Sequence, residues 1–300
     1  MSSIKSNEYR EEKNAIVGGM LYLVATPIGN LSDLSERAIK VLSSVDFIAA
    51  EDTRNTQKLI SILGISKPMV SYFEHNKRER GEQIIARLQA GESCALVTDA
   101  GTPAISDPGA DLVVLCAEHG VNVTSIPGCC AAITALTLSA LPTGRFTFEG
   151  FLSTNKAERR AHLSELAHQK RTMIFHEAPH KLRATLSDLA QAFGGSRRIS
   201  LCRELTKLNE EVLRTTLDGA IALYQQKEPR GEYVLVIEGE SENASIETAF
   251  WQNMSIPEHV QYHMDAGMSQ KDAIKAAARE RGVHKNEVYS QMVEQKKNEN

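Results

Sequence analysis

Residues 176–180 run His-Glu-Ala-Pro-His, the order in which zinc peptidases place two metal-binding histidines and a glutamate base on one helix. That chemistry needs His176 and His180 one turn apart on a single helical face. The preceding residues, Thr172 to Phe175, are β-branched and apolar, and they read as a strand that ends at His176. Pro179 lies between the histidines, where a helix interior would lose about 3 kcal/mol or more. It fits instead as the first residue of a helix over 179–193, whose Leu182, Leu186 and Leu189 make an apolar stripe. The histidines therefore fall on different elements, and no metal site is expected. The segment still lies at a strand's carboxyl end and a helix N-terminus, where α/β proteins bind ligands. Glu177 there can accept hydrogen bonds from a substrate, or simply cap the helix.

Four other strand ends carry loops with chemical content. TPIGNLSD (26–33) brings backbone close to whatever lies above its strand, and it lacks the G-x-G-x-x-G dinucleotide fingerprint. EDTRNT (51–56) sets two carboxylates and an arginine at one strand tip, a composition that a solvated turn shares. TDAGTPAISDPGA (98–110) is long for a strand-to-helix connection, which usually takes about 2–6 residues. PGCCAAITAL (127–136) is a tight turn whose small residues let a helix start close to an adenine or ribose, or pack closely on a sheet. No Ser/His/Asp order, phosphate-loop lysine or cysteine–histidine pair accompanies them. A cofactor that carries its own leaving group would need few catalytic side chains.

The elements that hold these loops alternate. Apolar runs at 21–26, 47–52, 69–74, 94–99 and 121–128 predict one set of strands, with helices between them. Asp33, with Glu36 three residues on, is expected to cap the first helix, and Asp107-Pro108 to open another. A second set follows at 146–151, 172–177, 198–204 and 233–239, with 212–217 a weaker strand and helices over 155–169, 179–193 and 218–226. This order predicts two α/β domains, 19–128 and 129–240, with mostly parallel sheets covered on both faces and a cleft between them. Residues 1–18 read as a flexible arm. After 240 a polar linker leads to a helical hairpin tail (241–300), with Gly282 at its turn and Lys271, Lys275, Arg279, Arg281 and Lys285 lending positive charge. The tail fits a DNA-binding helix-turn-helix or an αα-hairpin that docks on the body or supports a dimer.

Composition narrows the setting. The chain has 300 residues, 42% of them hydrophobic, and no run of 18 apolar residues, so no membrane span is expected. The N-terminus is not a signal peptide, and five cysteines without C-x-x-C spacing suit a reducing, cytoplasmic compartment. A net charge of −4 argues against nonspecific coating of nucleic acid, although not against a local basic patch.

Taken in order, TPIGNL, AAEDTR, TDAGTPAISDPG, IPGCCAA, FHEAPHKL, CRELTK and RGEYVLVIEG resemble the RsmI-type small-subunit ribosomal RNA ribose 2′-O-methyltransferases, within the tetrapyrrole methylase superfamily. The resemblance covers roughly 20–240 and extends more weakly into the tail. It implies a class III methyltransferase fold, with S-adenosylmethionine between two α/β domains. It also implies methyl transfer to a cytidine ribose in the decoding region of 16S rRNA, and a homodimer. By position it assigns Pro27, Gly101, Thr102, Ile105, Cys130 and Ala131 to the cofactor. Thr102 stands where porphyrinoid-methylating members tend to have aspartate, which favours the RNA branch. Two departures touch loop geometry: Ser153 follows Leu152 where the family usually has proline, and Cys129 replaces a frequent proline.

The reaction so implied asks for a group that orients or takes the hydroxyl proton, and the candidates are Glu51, Asp52, Asp99, Glu177 and Glu204. Arg54, Arg203 and Lys207 are candidates for holding RNA phosphate, with the basic pairs and runs at 77–80, 159–160 and 197–198 as extensions. The partners expected are 16S rRNA or the assembled 30S subunit and a second copy of the chain, with no membrane and no DNA. Two alternatives remain at this point: a porphyrinoid methylase on the same fold, and a DNA-binding regulator acting through the tail.

Overall fold

A computed structural model describes residues 15–240, 251 and 254–298, with side chains as far as 292 in the last helix. The expected arm therefore lies mostly, and the linker almost wholly, outside the described residues. The described residues form two compact units, one ending at Gly239 and the other beginning at Glu240.

The first unit holds two five-stranded sheets. In the first, β1 (Met20–Val24), β2 (Phe47–Ala50), β3 (Met69–Ser71), β4 (Cys94–Val97) and β5 (Asn122–Ile126) pair in the order β3-β2-β4-β1-β5, all parallel. Helices α1 (Glu36–Ser44), α2 (Thr53–Ile62), α3 (Lys77–Gln89) and α4 (Gly109–Glu118) make the crossovers. Strands β2 and β4 are buried along their whole length, because helices cover both faces of a parallel sheet. One face packs around Val24, Leu42, Ile48 and Ile60, the other around Leu21, Phe47, Ile84 and Leu112. The first helix is capped by Ser35, whose hydroxyl accepts from the Ala38 amide. Asp33 instead ends a 3-10 turn over Leu31–Asp33, so the capping-box expectation was two residues early.

The second sheet joins β6 (Phe146–Phe151), β7 (Thr172–Glu177), β8 (Arg198–Arg203), β9 (Glu211–Thr216) and β10 (Tyr233–Ile237) in the order β6-β7-β10-β8-β9. Only the β6–β7 pairing is parallel; β10 runs antiparallel to both neighbours, and β8 and β9 form an antiparallel pair. Here the expectation of a mostly parallel sheet fails. A seven-residue connection from β8 to β9 leaves no room for a crossover helix, so the chain turns back as a hairpin. Helices α5 (Ala131–Leu138), α6 (Lys156–Glu165), α7 (Leu182–Phe193) and α8 (Leu217–Gln226) cover this sheet. Pro179 opens a 3-10 turn that runs into α7, and His176 is the last residue but one of β7, so the two histidines lie on different elements. The second helix set is shorter at α6 than the 155–169 expected.

The second unit is a three-helix cluster of α9 (Ile256–Asp265), α10 (Gln270–Arg281) and α11 (Lys285–Asn298) around Val260, Ala273, Ala277 and Val288. It has one helix more than the expected hairpin. A full capping box at Ser255 and Glu258 starts α9, and Gly282 closes α10 in the left-handed conformation. Buried His259 and His263 both direct Nε2 at Oε2 of Glu280, at 2.8 and 3.1 Å, tying α9 to α10. Arg281 Nε donates to Nδ1 of His259 at 3.1 Å, and its Nη2 donates to the carbonyls of Trp251, Met254 and Ser255. His259, His263 and Glu280 are the group among the described residues with metal-binding composition. The Arg281 donor leaves the His259 proton on Nε2, the nitrogen a metal would have to use.

Candidate active-site cleft

The loops after β1, β4 and β5 are tied to one another. Thr26 and Gly101 exchange backbone hydrogen bonds of 2.9 and 3.0 Å, and the Thr26 hydroxyl donates to the Thr98 carbonyl. The Thr102 hydroxyl donates to the Cys129 carbonyl at 2.9 Å. Gly101 needs its lack of a side chain, since its φ of +88° is strained for any other residue. Asp107 Oδ1 accepts from the amides of Ala104 and Gly109, doing the capping work expected of it although the helix starts at Gly109. Ala104 and Ser106 in this loop, and Glu204 and Thr206 after β8, all have left-handed φ values. Such strain persists only where the surroundings over-determine it, and it gathers at functional loops.

The first and second sheets meet across these loops. A Cβ added to Gly29 would stand 2.4 Å from Cγ of Lys207, so the loop after β1 lies directly against the loop after β8. Between them opens a cavity of about 400 Å³. Ile28, Ala100 and Ala131 wall it from one side; Phe151, His176 and Glu204 are among the walls on the other. Ala131 is the first residue of α5, so that helix's N-terminus opens on the cleft, while Cys130 supplies no side-chain cap. Pro27 is half-buried, and Ile105 stands exposed on the long loop.

The five candidate carboxylates separate by environment. Asp52 caps α2 and accepts from the Arg54 amide and guanidinium, whose hydrogen bonds hold its pKa at about 2. Arg54 is thereby occupied, though largely exposed. Glu177 is buried, with Oε1 on the Ala178 amide at 2.8 Å and Oε2 on the Thr185 hydroxyl. It anchors the β7–α7 junction with both oxygens engaged. Glu204 accepts from the Glu232 amide, the main cause of its lowered pKa, and from Lys207. Lys207 also reaches Glu232 Oε2 at 2.8 Å. Glu51 accepts a 2.7 Å bond from the Thr98 hydroxyl. Asp99, next to Ala100 of the cleft wall, has its pKa raised by desolvation first and then by the charge of Glu51, although the residue as a whole is exposed. Its contact to Asn55 is a long 3.4 Å.

Arg203 pairs with Glu211 at 3.1 Å and does not line the cavity. Lys77, Arg159 and Arg198, from the proposed basic extensions, are each engaged by carboxylates.

Sequence reasoning missed His176 as a cleft residue, having weighed it only as a zinc ligand. Its ring meets Phe148 and Phe151 edge-on at 5.3 and 5.4 Å, and its buried Nε2 has no hydrogen-bond partner. Burial lowers its pKa, so the imidazole is neutral at pH 7. A β-bulge between Phe148 and Gly150 adds one residue to β6, which brings Phe151 to the same side of the sheet as Phe148. Glu232 and Tyr233 also border the cleft and were quoted only inside RGEY. The available signal was strand-end position, since His176 sits one residue from the end of β7, Glu232 immediately precedes β10 and Tyr233 begins it.

A family model described as Tetrapyrrole (Corrin/Porphyrin) Methylases matches residues 20–221. The chain belongs to this family. Among curated relatives, a Ribosomal RNA small subunit methyltransferase I from Halalkalibacterium halodurans is 46% identical, covering 97% of this chain and 98% of that protein. The Bacillus subtilis protein of the same name is 47% identical over 90% of this chain and 93% of its own, and the Escherichia coli O157:H7 protein 40% identical over 92% and 96%. The tetrapyrrole methylase member described here thus falls in the group that carries that name. Its fold is also that of the Thermus thermophilus uroporphyrin-III C-methyltransferase, at a TM-score of 0.53 and 17% identity over 73% of this chain and 94% of that one. A cobalt precorrin-4 methyltransferase aligns with a TM-score of 0.52 at 18% identity over 73% and 95%.

Proposed function

We propose that this chain methylates the ribose 2′-hydroxyl of a cytidine in the decoding region of 16S rRNA, with S-adenosylmethionine as donor. The observation that carries the reading is near-full-length identity of 46% to a protein named as a small-subunit rRNA methyltransferase. The proposal includes a first layer over 19–128, a second over 129–240, a cytoplasmic location and a homodimer. No helix among the described residues is long and apolar enough to cross a membrane.

Of the residues assigned to the donor, Ala131 lines the cavity, and Gly101 and Cys130 are chain neighbours of the lining residues Ala100 and Ala131. The cavity of about 400 Å³ suits a nucleoside-sized group, and the glycine-bearing loops around it leave backbone within reach. Pro27, Gly101, Thr102, Ile105, Cys130 and Ala131 would hold it. When bound, S-adenosylmethionine supplies a methyl group made electrophilic by a sulfonium.

The chain's own work is positioning and proton handling. Loops already tied together by the Thr26–Gly101 and Thr102–Cys129 bonds need little ordering to hold reactants in line, an effect worth about 7–11 kcal/mol when the geometry is right. Of the five carboxylates, Asp52 and Glu177 are spent on capping and anchoring, and Glu204 is held ionised by its amide and lysine partners. Asp99 is the one whose environment moves it toward proton acceptance, and it is assigned the 2′-hydroxyl proton, with Glu51 tuning it. Lys207 and Arg54 are assigned to RNA phosphate.

The test is incubation with methyl-labelled S-adenosylmethionine and unmodified 30S subunits, free 16S rRNA or uroporphyrinogen, with the label mapped by alkaline resistance. Label on a single cytidine ribose is expected. Label only in the porphyrinoid, or in none of the three, overturns the reading.

A further inference from the structure

The unit after Glu240 has a face that its own core does not explain. Between α10 and α11 lies a groove of about 610 Å³. Lys271 and Lys275 line it from α10, and Lys285, Asn286 and Tyr289 from α11, with no carboxylate among the lining residues. Lys275 reaches Asp272 at 3.1 Å, while Lys271 and Lys285 make no ion pair among the described residues. In a chain of net charge −4, a groove walled by three lysines is a local reversal of sign.

Three further observations give that charge a direction. Lys271 is the second residue of α10, and Lys285 and Asn286 are the first two of α11. Both helix N-termini therefore lie on the groove, each adding the positive end of a helix dipole; Ser269 accepts from the Asp272 amide and His284 Nδ1 from the Asn286 amide, and Asp272 and Glu287 stand in the two first turns. Tyr289 stands 60% exposed on the same wall, with Ile274 and Met292 as the groove's apolar lining. Meanwhile the acidic Glu280 is turned away, bonded to His259 and His263.

We infer that this groove is an RNA-holding surface: it seats backbone phosphates between the N-termini of α10 and α11, with the Tyr289 ring against a base or ribose. The inference rests on the reading that rRNA is the substrate. Ammonium groups and helix N-termini together suit phosphate oxygens, and an exposed tyrosine beside an amide suits unstacked nucleotides. Its task is affinity and register, which phosphate contacts supply without reading sequence. The chemistry remains in the cleft of the other unit.

The experiment uses the full-length chain carrying Lys271→Gln with Lys285→Gln, and separately Tyr289→Ala. Fluorescence anisotropy with a decoding-region rRNA hairpin is run across a salt series. The double variant is expected to bind more weakly, with a slope of log affinity against log salt shallower by about 1.4–1.8, the share of two phosphate contacts. In turnover, KM for RNA rises while kcat at saturating RNA and calorimetric affinity for S-adenosylhomocysteine stay at wild-type values. Lys271→Arg with Lys285→Arg restores binding, which separates charge from fold. Wild-type RNA affinity and slope in the glutamine variant would overturn the inference. So would an effect confined to self-association or to capture of a protein, which would make the groove a protein contact. If the wild-type chain methylates no rRNA, the functional reading fails, yet the anisotropy series still decides the groove by itself.

Discussion

At the residue scale, the carboxylates teach that type and position are not enough. Glu51, Asp52, Asp99, Glu177 and Glu204 were equivalent in the sequence, all at strand ends. Hydrogen bonding separates them, and it depends on partners 1 to 47 residues away, the distant ones beyond any local pattern. Asp99→Asn is expected to lower kcat by about 10²–10⁴-fold while leaving S-adenosylhomocysteine affinity intact, measured by single-turnover kinetics and calorimetry. Since the Asp99 pKa is raised above 3.8, activity in the wild type should climb through a pH limb lying above the ordinary aspartate range, and that limb should vanish in the variant. For Glu177, Thr185→Val leaves one buried carboxylate oxygen without its donor. A loss of about 1–3 kcal/mol is expected in denaturant unfolding. His176 makes a stability prediction of its own. Burial lowers its pKa below 6.5, so the unfolded chain takes up that proton first, and stability falls as pH drops through the window below 6.5. His176→Phe should flatten part of that acid slope in melting temperatures taken from pH 7.5 to 5.

At the element scale, most of the first layer was legible. Strand, helix and loop alternate with clear turn signals, and fully buried β2 and β4 advertise a parallel sheet by their unbroken apolar runs. The second layer was legible as elements but not as topology. Strand direction leaves no mark in a run such as Tyr233–Ile237, buried at every residue, which pairs antiparallel on both sides. The β6 bulge was equally invisible, because one extra residue alters phase only against the partner strand. Loop conformation, by contrast, could be read from glycine. Gly101→Val places a branched side chain at a φ of +88° in the bridge to Thr26, at a cost of about 1–3 kcal/mol. Calorimetry should show S-adenosylhomocysteine affinity falling by tenfold or more, with the second layer's far-UV signature unchanged.

At the scale of the whole molecule, the cleft exists only where two layers meet, so occupancy should stabilise both together. Saturating S-adenosylhomocysteine at about 100 times its dissociation constant is expected to add about 2.7 kcal/mol, seen as one upward-shifted thermal transition for the residues before Gly239. The seam between the layers has a peculiarity. Helix α5 follows β5 of the first sheet after only the short turn at 127–130, yet Ala132, Ala135 and Leu136 are buried with Ile174, Val234 and Val236 of the second. The Cys129–Cys130 turn, one of the three tied loops, is therefore the junction of the two layers in the sequence and leads directly into Ala131 of the cleft wall. In recombination terms, the two layers are not freely exchangeable cassettes. A chimera that imports a second layer from another member must import 129–138 with it, and must then match a foreign carbonyl at 129 to the resident Thr102. Parents should recombine well only when the loop over 98–110 and the turn at 127–131 are inherited as a pair, although they lie on opposite sides of the crossover.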